Sequence, residues 1–388
     1  MWKPLTLLAL LGPLAGQAIA QEDWEVWETE SGAEVAVAAS TADGAPVTWA
    51  TALNLSTNRI LDNGLEIGAV GRFELQQDNP HRAGFSGATG SDFGLGQGAF
   101  SGLAPGTGHE HVGTRAQLEQ AYVYAEGGYG EVRLGRDKSV AARFYEGAPS
   151  LFLKASTANP VLDPTGRAYI RTDNDLTGPA LKVSYASPRI LGVRAGVSYT
   201  PTADVRGLDR DPERRVAGNP QVSVDSAAEA AINVSRRLRE SGVRVRGALA
   251  YSRADVSSAL RPDIYGTVET WSAGASAEFD TITLGASVLG SNNGLDSGSG
   301  DYSAWTIGAT KQAFSMEFGV DYGEATDDLT GLKSESWSIG AAKELTDSLR
   351  VAGGYRSQTT RFRRVLPLGV PQNEDSADGI VLEITLSL

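Results

Sequence analysis

The sequence predicts an all-β fold: a 16-stranded antiparallel transmembrane β-barrel with short turns at one end and long loops at the other. Three observations predict it. Apolar and polar residues alternate with period two along nearly the whole chain, and a helical period is almost absent. Between the alternating segments, short and long connections follow each other strictly. The alternation runs to the last residue, through Ile380, Leu382, Ile384, Leu386 and Leu388.

The first segment sets the compartment. Residues 1–20 read as an export signal, with Lys3 as the positive start, Leu5 to Leu14 as the apolar stretch, and Ala18-Ile19-Ala20 as the cleavage site. Residues 21–388 then form a single barrel domain. Losing the leader removes Lys3, so 33 basic residues face 47 acidic ones and the mature net charge is −14. The chain has no Cys, which excludes disulfides, thiolate zinc sites and a cysteine nucleophile. A sequence pI near 4.8 excludes a nucleic-acid binder. No run of about 18 apolar residues follows residue 20, so no helix is expected to span a membrane.

The strands follow in order. Alternation predicts them near 33–40, 47–57, 64–76, 114–126, 129–139, 167–187, 192–201 and 225–237, then near 243–254, 269–279, 281–291, 302–312, 314–325, 334–344, 348–360 and 377–388. In 65–76, Leu65, Ile67, Ala69, Phe73 and Leu75 oppose Glu66, Gly68, Arg72, Glu74 and Gln76. The apolar face stays nearly free of charge, while the other mixes Gly, Ser, Thr and charged residues. In the sixth predicted strand the outward parity flips between Ile170 and Leu181, which calls for a bulge or kink within 173–179. The acidic stretch 21–32 has no clear place; it lengthens the first strand or hangs in the periplasm.

Short turns fall at Gly127-Gly128-Tyr129-Gly130, 188–192 and Glu240-Ser241-Gly242; long loops fall at 77–113, 140–166, 202–224 and 361–376. An even strand number puts both termini on one side. Lipid offers no hydrogen-bond partners, so a spanning sheet must close on itself. WSAGA at 271–275, WTIGA at 305–309 and WSIGA at 337–341 recur as a hairpin repeat. Trp271, Trp305 and Trp337 each enter a strand beside a loop, where an aromatic girdle belongs.

The run AYVYAEGGYGEVRLGRD at 121–137, then YIRTDNDL at 169–176 and VSYASP at 183–188, resemble the trimeric general porins of Gram-negative bacteria, particularly the alphaproteobacterial type. The order and spacing of these strings carry the resemblance, which covers residues 30–388. The terminal Leu388 departs from the family's terminal aromatic residue. The resemblance implies an outer-membrane channel for passive diffusion of small hydrophilic solutes and ions. It further implies a homotrimer, contact with outer-membrane lipid and lipopolysaccharide, and a second loop (77–113) that latches onto a neighbouring subunit. The third loop, 140–166, is expected to fold inward and narrow the pore.

A 16-stranded barrel leaves room for water. Alternation turns Arg72, Arg115, Arg133, Arg244, Arg246, Arg350 and Arg356 inward. Arg171 joins them despite the parity flip. Arg136 sits on outward parity near a strand end, where it could turn in. Carried over by position, the family's constriction sets Arg72, Arg133, Arg136 and Arg171 against Glu146 and Asp163. Lys154 and Arg143 in the same loop could instead pair with those acids and flatten the field. The acidic net charge favours a mild cation preference.

Enzyme chemistry finds little support. His81, His109 and His111 all lie in 77–113, and His109-Glu110-His111 lacks a third metal ligand. No G-x-S-x-G elbow occurs, and Gly94-Leu95-Gly96-Gln97-Gly98 does not join a strand to a helix. No cofactor and no metal are expected. Two other functions stay open: a substrate-selective channel of the same build, and an exported β protein that is no channel. Scattered arginines interleaved with Glu66, Glu119, Glu229, Glu278 and Glu317 argue against a strong anion site. Strands one and two are rich in alanine (Ala33, Ala36, Ala38, Ala39, Ala50, Ala52), compatible with a flat subunit contact.

Overall fold

The computed structural model describes residues 27–42, 44–79, 97–103, 114–204, 222–258, 262–296, 298, 300–362 and 373–388. Sixteen strands follow one another: β1 (Glu28–Ser40), β2 (Thr48–Ile60), β3 (Glu66–Gln77), β4 (Arg115–Gly127), β5 (Gly130–Asp137), β6 (Ala180–Ala186), β7 (Val193–Asp204) and β8 (Val222–Arg237). The second half comprises β9 (Arg244–Ser258), β10 (Thr267–Phe279), β11 (Ile282–Ser291), β12 (Tyr302–Ala313), β13 (Met316–Asp327), β14 (Leu332–Thr346), β15 (Leu349–Phe362) and β16 (Asn373–Ser387). One short helix, α1 (Val140–Arg143), lies between β5 and β6.

Each strand pairs antiparallel with its neighbours in sequence, and β1 pairs with β16 to close the barrel. The seam runs from Glu34 opposite Ser387 to Ser40 opposite Val381. Closure leaves no open edge, which lipid would otherwise leave unsatisfied. Alternation then decides what each face meets. Leu249, Leu284, Ile307, Ile339 and Leu382 stand exposed on the outside, and Trp271, Trp305 and Trp337 stand there with them. The Trp305 and Trp337 rings pack 5.3 Å from Tyr322 and 5.4 Å from Tyr355.

One strand of the wall departs from the expected layout. The sixth strand is only Ala180–Ala186, and 167–179 belongs to the third loop, which therefore spans 138–179. The backbone of that stretch bonds away from the sheet. The Arg171 N–H donates to the Tyr302 hydroxyl at 2.8 Å, and the Thr172 N–H donates to Asn159 Oδ1 at 2.8 Å. The parity flip marks this loop-to-strand boundary. Register shifts occur instead between Arg72 and Phe73, Asp225 and Ala228, and Glu344 and Thr346. In addition, Glu28 to Gly32 extend the first strand, so the end of the acidic stretch joins the wall.

The alanines of β1 and β2 also take another role. Ala36, Ala38, Ala50 and Ala52 face inward and are buried. The first three share a cluster with Leu151, Phe152, Ala155 and Leu162 of the third loop. Small side chains there let the loop tip lie close to the wall. Residues 1–26, His81, His109 and His111 lie outside the described residues.

Candidate functional site: a charged passage beside the in-folded loop

β5 and β6 have 8 and 7 residues against 13 in β4, so the chain leaves the wall early and enters the lumen. Ser139 caps α1, its Oγ accepting the Ala142 N–H at 3.3 Å. Val140 and Phe144 then bury against Ala186 and Ala231 of the wall. From there the third loop runs round the inside of the barrel. Glu146 accepts from the Ser276 hydroxyl at 2.6 Å, Ser150 donates to Asp321 at 3.0 Å, and Arg350 donates to the Leu151 carbonyl at 2.8 Å. At the tip, the Glu383 carboxylate of β16 accepts the N–H groups of Leu153, Lys154 and Ala155 at 2.8, 2.9 and 2.6 Å. Arg356 of the neighbouring strand β15 donates to the Ala155 carbonyl. The return arm bonds to β12, β10 and β8 through Tyr302, Thr270 and Glu229.

Between this tip and the wall of β1–β4 a cavity of about 290 Å³ remains, lined by Glu34, Arg72, Glu74, Glu119, Lys138 and Lys154 among others. Its charges form an alternating chain. Lys154 Nζ lies 2.7 Å from Glu34 Oε1, and Glu34 Oε2 lies 3.2 Å from the Arg72 guanidinium. Arg72 Nε in turn lies 2.7 Å from Glu119, whose other oxygen is 3.0 Å from Lys138 Nζ. The chain thus joins the tip of the third loop to its root across β1, β3 and β4. Three cations and three carboxylates line the cavity, so its formal charge is balanced.

The six residues expected at the constriction do not meet. Arg72 alone lines this cavity. Arg133 lies nearer the short-turn end, 2.5 Å from Glu131 and 3.1 Å from Asp137, with Tyr122 under its guanidinium. Arg136 keeps its outward parity and donates to the Leu118 carbonyl at 2.6 Å. The guanidinium of Arg171 is buried in the return arm, over the Phe100 ring and beside Asp173. Glu146 sits across the barrel, with Arg246 3.9 Å away. Asp163 is fully buried, and its oxygens accept from Thr165 and from the Ala168 N–H. Lys154 pairs with the wall through Glu34 and leaves the loop acids alone. Arg143 likewise pairs with Glu131 at 2.7 Å. Burial pulls the Arg143 guanidinium below its ordinary value, and nearby Arg133 pushes the same way against Glu131 and Asp137. The alternation that turns Arg72 inward does the same for Glu34, which the family resemblance does not single out.

Most of the second loop, 80–96 and 104–113, lies outside the described residues, and with it the expected contact with a neighbouring subunit. Its described piece, 97–103, lies inside its own barrel, against β11–β13 and the return arm of the third loop. Apolar side chains draw it there: Ala99, Phe100 and Leu103 are all buried.

The profile of the Gram-negative porin family matches residues 9–362. No curated protein matches the sequence. Among solved structures, the chain is similar to OmpT, an outer membrane protein of Vibrio cholerae, at TM-score 0.58 and 9% identity, covering 93% of this chain and 99% of that one. It is similar to the anion-selective porin from Comamonas acidovorans at TM-score 0.55 and 15% identity, covering 94% and 100%. The outer membrane channel DcaP of Acinetobacter baumannii gives TM-score 0.54 at 12% identity, covering 94% and 97%. A family match over most of the chain, on a closed 16-stranded barrel, makes this protein a member of the Gram-negative porin family and an outer-membrane channel for passive diffusion of solutes.

Proposed function

We propose that small hydrophilic solutes and ions cross the barrel between the tip of the third loop and the β1–β4 wall. The alternating chain Lys154–Glu34–Arg72–Glu119–Lys138 beside the cavity carries this reading. Lys154, Glu34, Arg72 and Lys138 are each partly exposed, with Glu119 buried between Arg72 and Lys138, so a permeating ion meets an attractor next to a repeller. Selectivity is therefore weak, and its sign follows the acidic charge of the whole protein. Arg133, Arg136, Arg171, Glu146 and Asp163 support the loop or the wall and do not set the eyelet. The protein acts in the outer membrane as a homotrimer, after export and removal of residues 1–20, in contact with lipid and lipopolysaccharide. A Vibrio cholerae relative in trimer form supports the oligomer.

Single-channel current in a planar bilayer under a salt gradient tests this reading. Conductance steps in groups of three are expected of a trimer. Lys154→Gln removes one eyelet cation and is expected to move the reversal potential toward cation selectivity. An unchanged reversal potential would place the passage elsewhere.

A further inference from the structure

The long-loop end of the lumen is lined unevenly. On the β8–β13 side Val224, Val256, Val268, Leu289 and Tyr302 form a buried apolar core like that of a water-soluble domain. Two loop pieces cap it from inside: Ile170 and Leu176 from the return arm of the third loop, and Ala99 and Phe100 from the second loop. A polar, water-filled lumen needs no such core.

The segment 97–103 is seated by a small set of directed contacts. Asn293, between β11 and β12, does most of this. Its side-chain oxygen accepts the N–H groups of Phe100 at 3.3 Å and Ser101 at 2.9 Å. Its main-chain oxygen accepts the Ala99 N–H at 2.9 Å. Its amide nitrogen donates to Asp327 at 3.0 Å, and the Ser101 hydroxyl donates to that same carboxylate oxygen at 3.0 Å. The Phe100 ring stands 5.7 Å from the Tyr302 ring and 4.5 Å from the Arg171 guanidinium, and Arg171 also donates to the Phe100 carbonyl at 3.2 Å. Arg171 and Tyr302 are the same groups that tie the return arm to β12. One cluster therefore binds second loop, third loop and wall together.

We propose that residues 97–103 are an internal latch that holds the return arm of the third loop against β11–β13, with Phe100 and Asn293 as its positioning residues. The latch keeps the third loop in one arrangement, so the passage beside its tip stays constant in width. This rests on the third loop as the element that narrows the channel. A buried segment with paired N–H groups opens far less often than an exposed loop, and loosening it returns that freedom to whatever it holds.

Two neutral substitutions and one reporter test the latch in the full-length folded channel. Because the chain has no native cysteine, Ala99→Cys is a unique thiol. In the otherwise unaltered protein it is expected to resist a hydrophilic maleimide, and adding Asn293→Ala is expected to make it react. Phe100→Ala and Asn293→Ala are each expected to add sub-state flicker to the open channel, with the reversal potential unmoved because no charge changes. Immediate labelling of Ala99→Cys alone would overturn the latch. So would a released thiol with an open-channel current as quiet as before. Failure of the eyelet reading shows separately, as an unmoved reversal potential in Lys154→Gln.

Discussion

Glu131 illustrates how single residues hold the in-folded loop at its root. It accepts from Arg133 and Arg143, and from Arg194 at 3.0 Å, while itself almost fully buried. Removing one partner of a buried charge group costs about 3–5 kcal/mol, because the remaining charges lose their compensation. Arg133 and Arg194 keep partial contact with water, so Glu131→Gln is expected at the low end of that range, about 3 kcal/mol. The loss should appear as a lower temperature at which the folded, heat-modifiable band disappears in electrophoresis. An unchanged temperature would mean that Asp137 alone compensates the three arginines. Of the charged residues that matter here, Arg72 and Glu34 were legible, since strand parity turns each inward. Lys154 was legible as a loop cation but not as the partner of Glu34, because pairing depends on how the loop crosses the barrel.

The third loop lies flush on the wall because that wall has glycine where the loop passes. A Cβ on Gly274 would collide with the Glu146 carbonyl, and one on Gly308 with the Pro149 carbonyl. Both clashes are with backbone, so no rotamer change relieves them. Gly308→Ala is expected to destabilise the seated loop by about 1–3 kcal/mol, the usual cost of overpacking. Protease accessibility within 145–160 reports it: faster cleavage is expected with the barrel intact, and an unchanged rate would show that the loop shifts without cost. Strand elements were read well from alternation, since one face meets lipid and the other water. Alternation predicts a longer sixth strand because 167–179 also alternates locally, yet its amides bond to Asn159 and Tyr302. Short-range pattern cannot distinguish a strand from a loop lying extended against a wall.

At the scale of the molecule, the seam between β1 and β16 makes the barrel possible. The Ala33 N–H donates to the Leu388 carbonyl at 3.0 Å, and the Leu388 N–H returns the bond at 2.8 Å. A chain ending at residue 379 would leave β1 and half of β15 with unpaired edges facing lipid. It is expected to give no heat-modifiable barrel after refolding in detergent, and recovery of one would mean that β1 and β15 can close the sheet directly. The strand number, the closed topology and the outward apolar face were fixed by residue order alone, because lipid on one side and water on the other select every second side chain. The path through the barrel was decided only by tertiary structure. Which loop segment reaches which wall, and so which lysine meets which glutamate, depends on contacts between residues such as Lys154 and Glu34, or Phe100 and Tyr302, that lie far apart in sequence and follow no period.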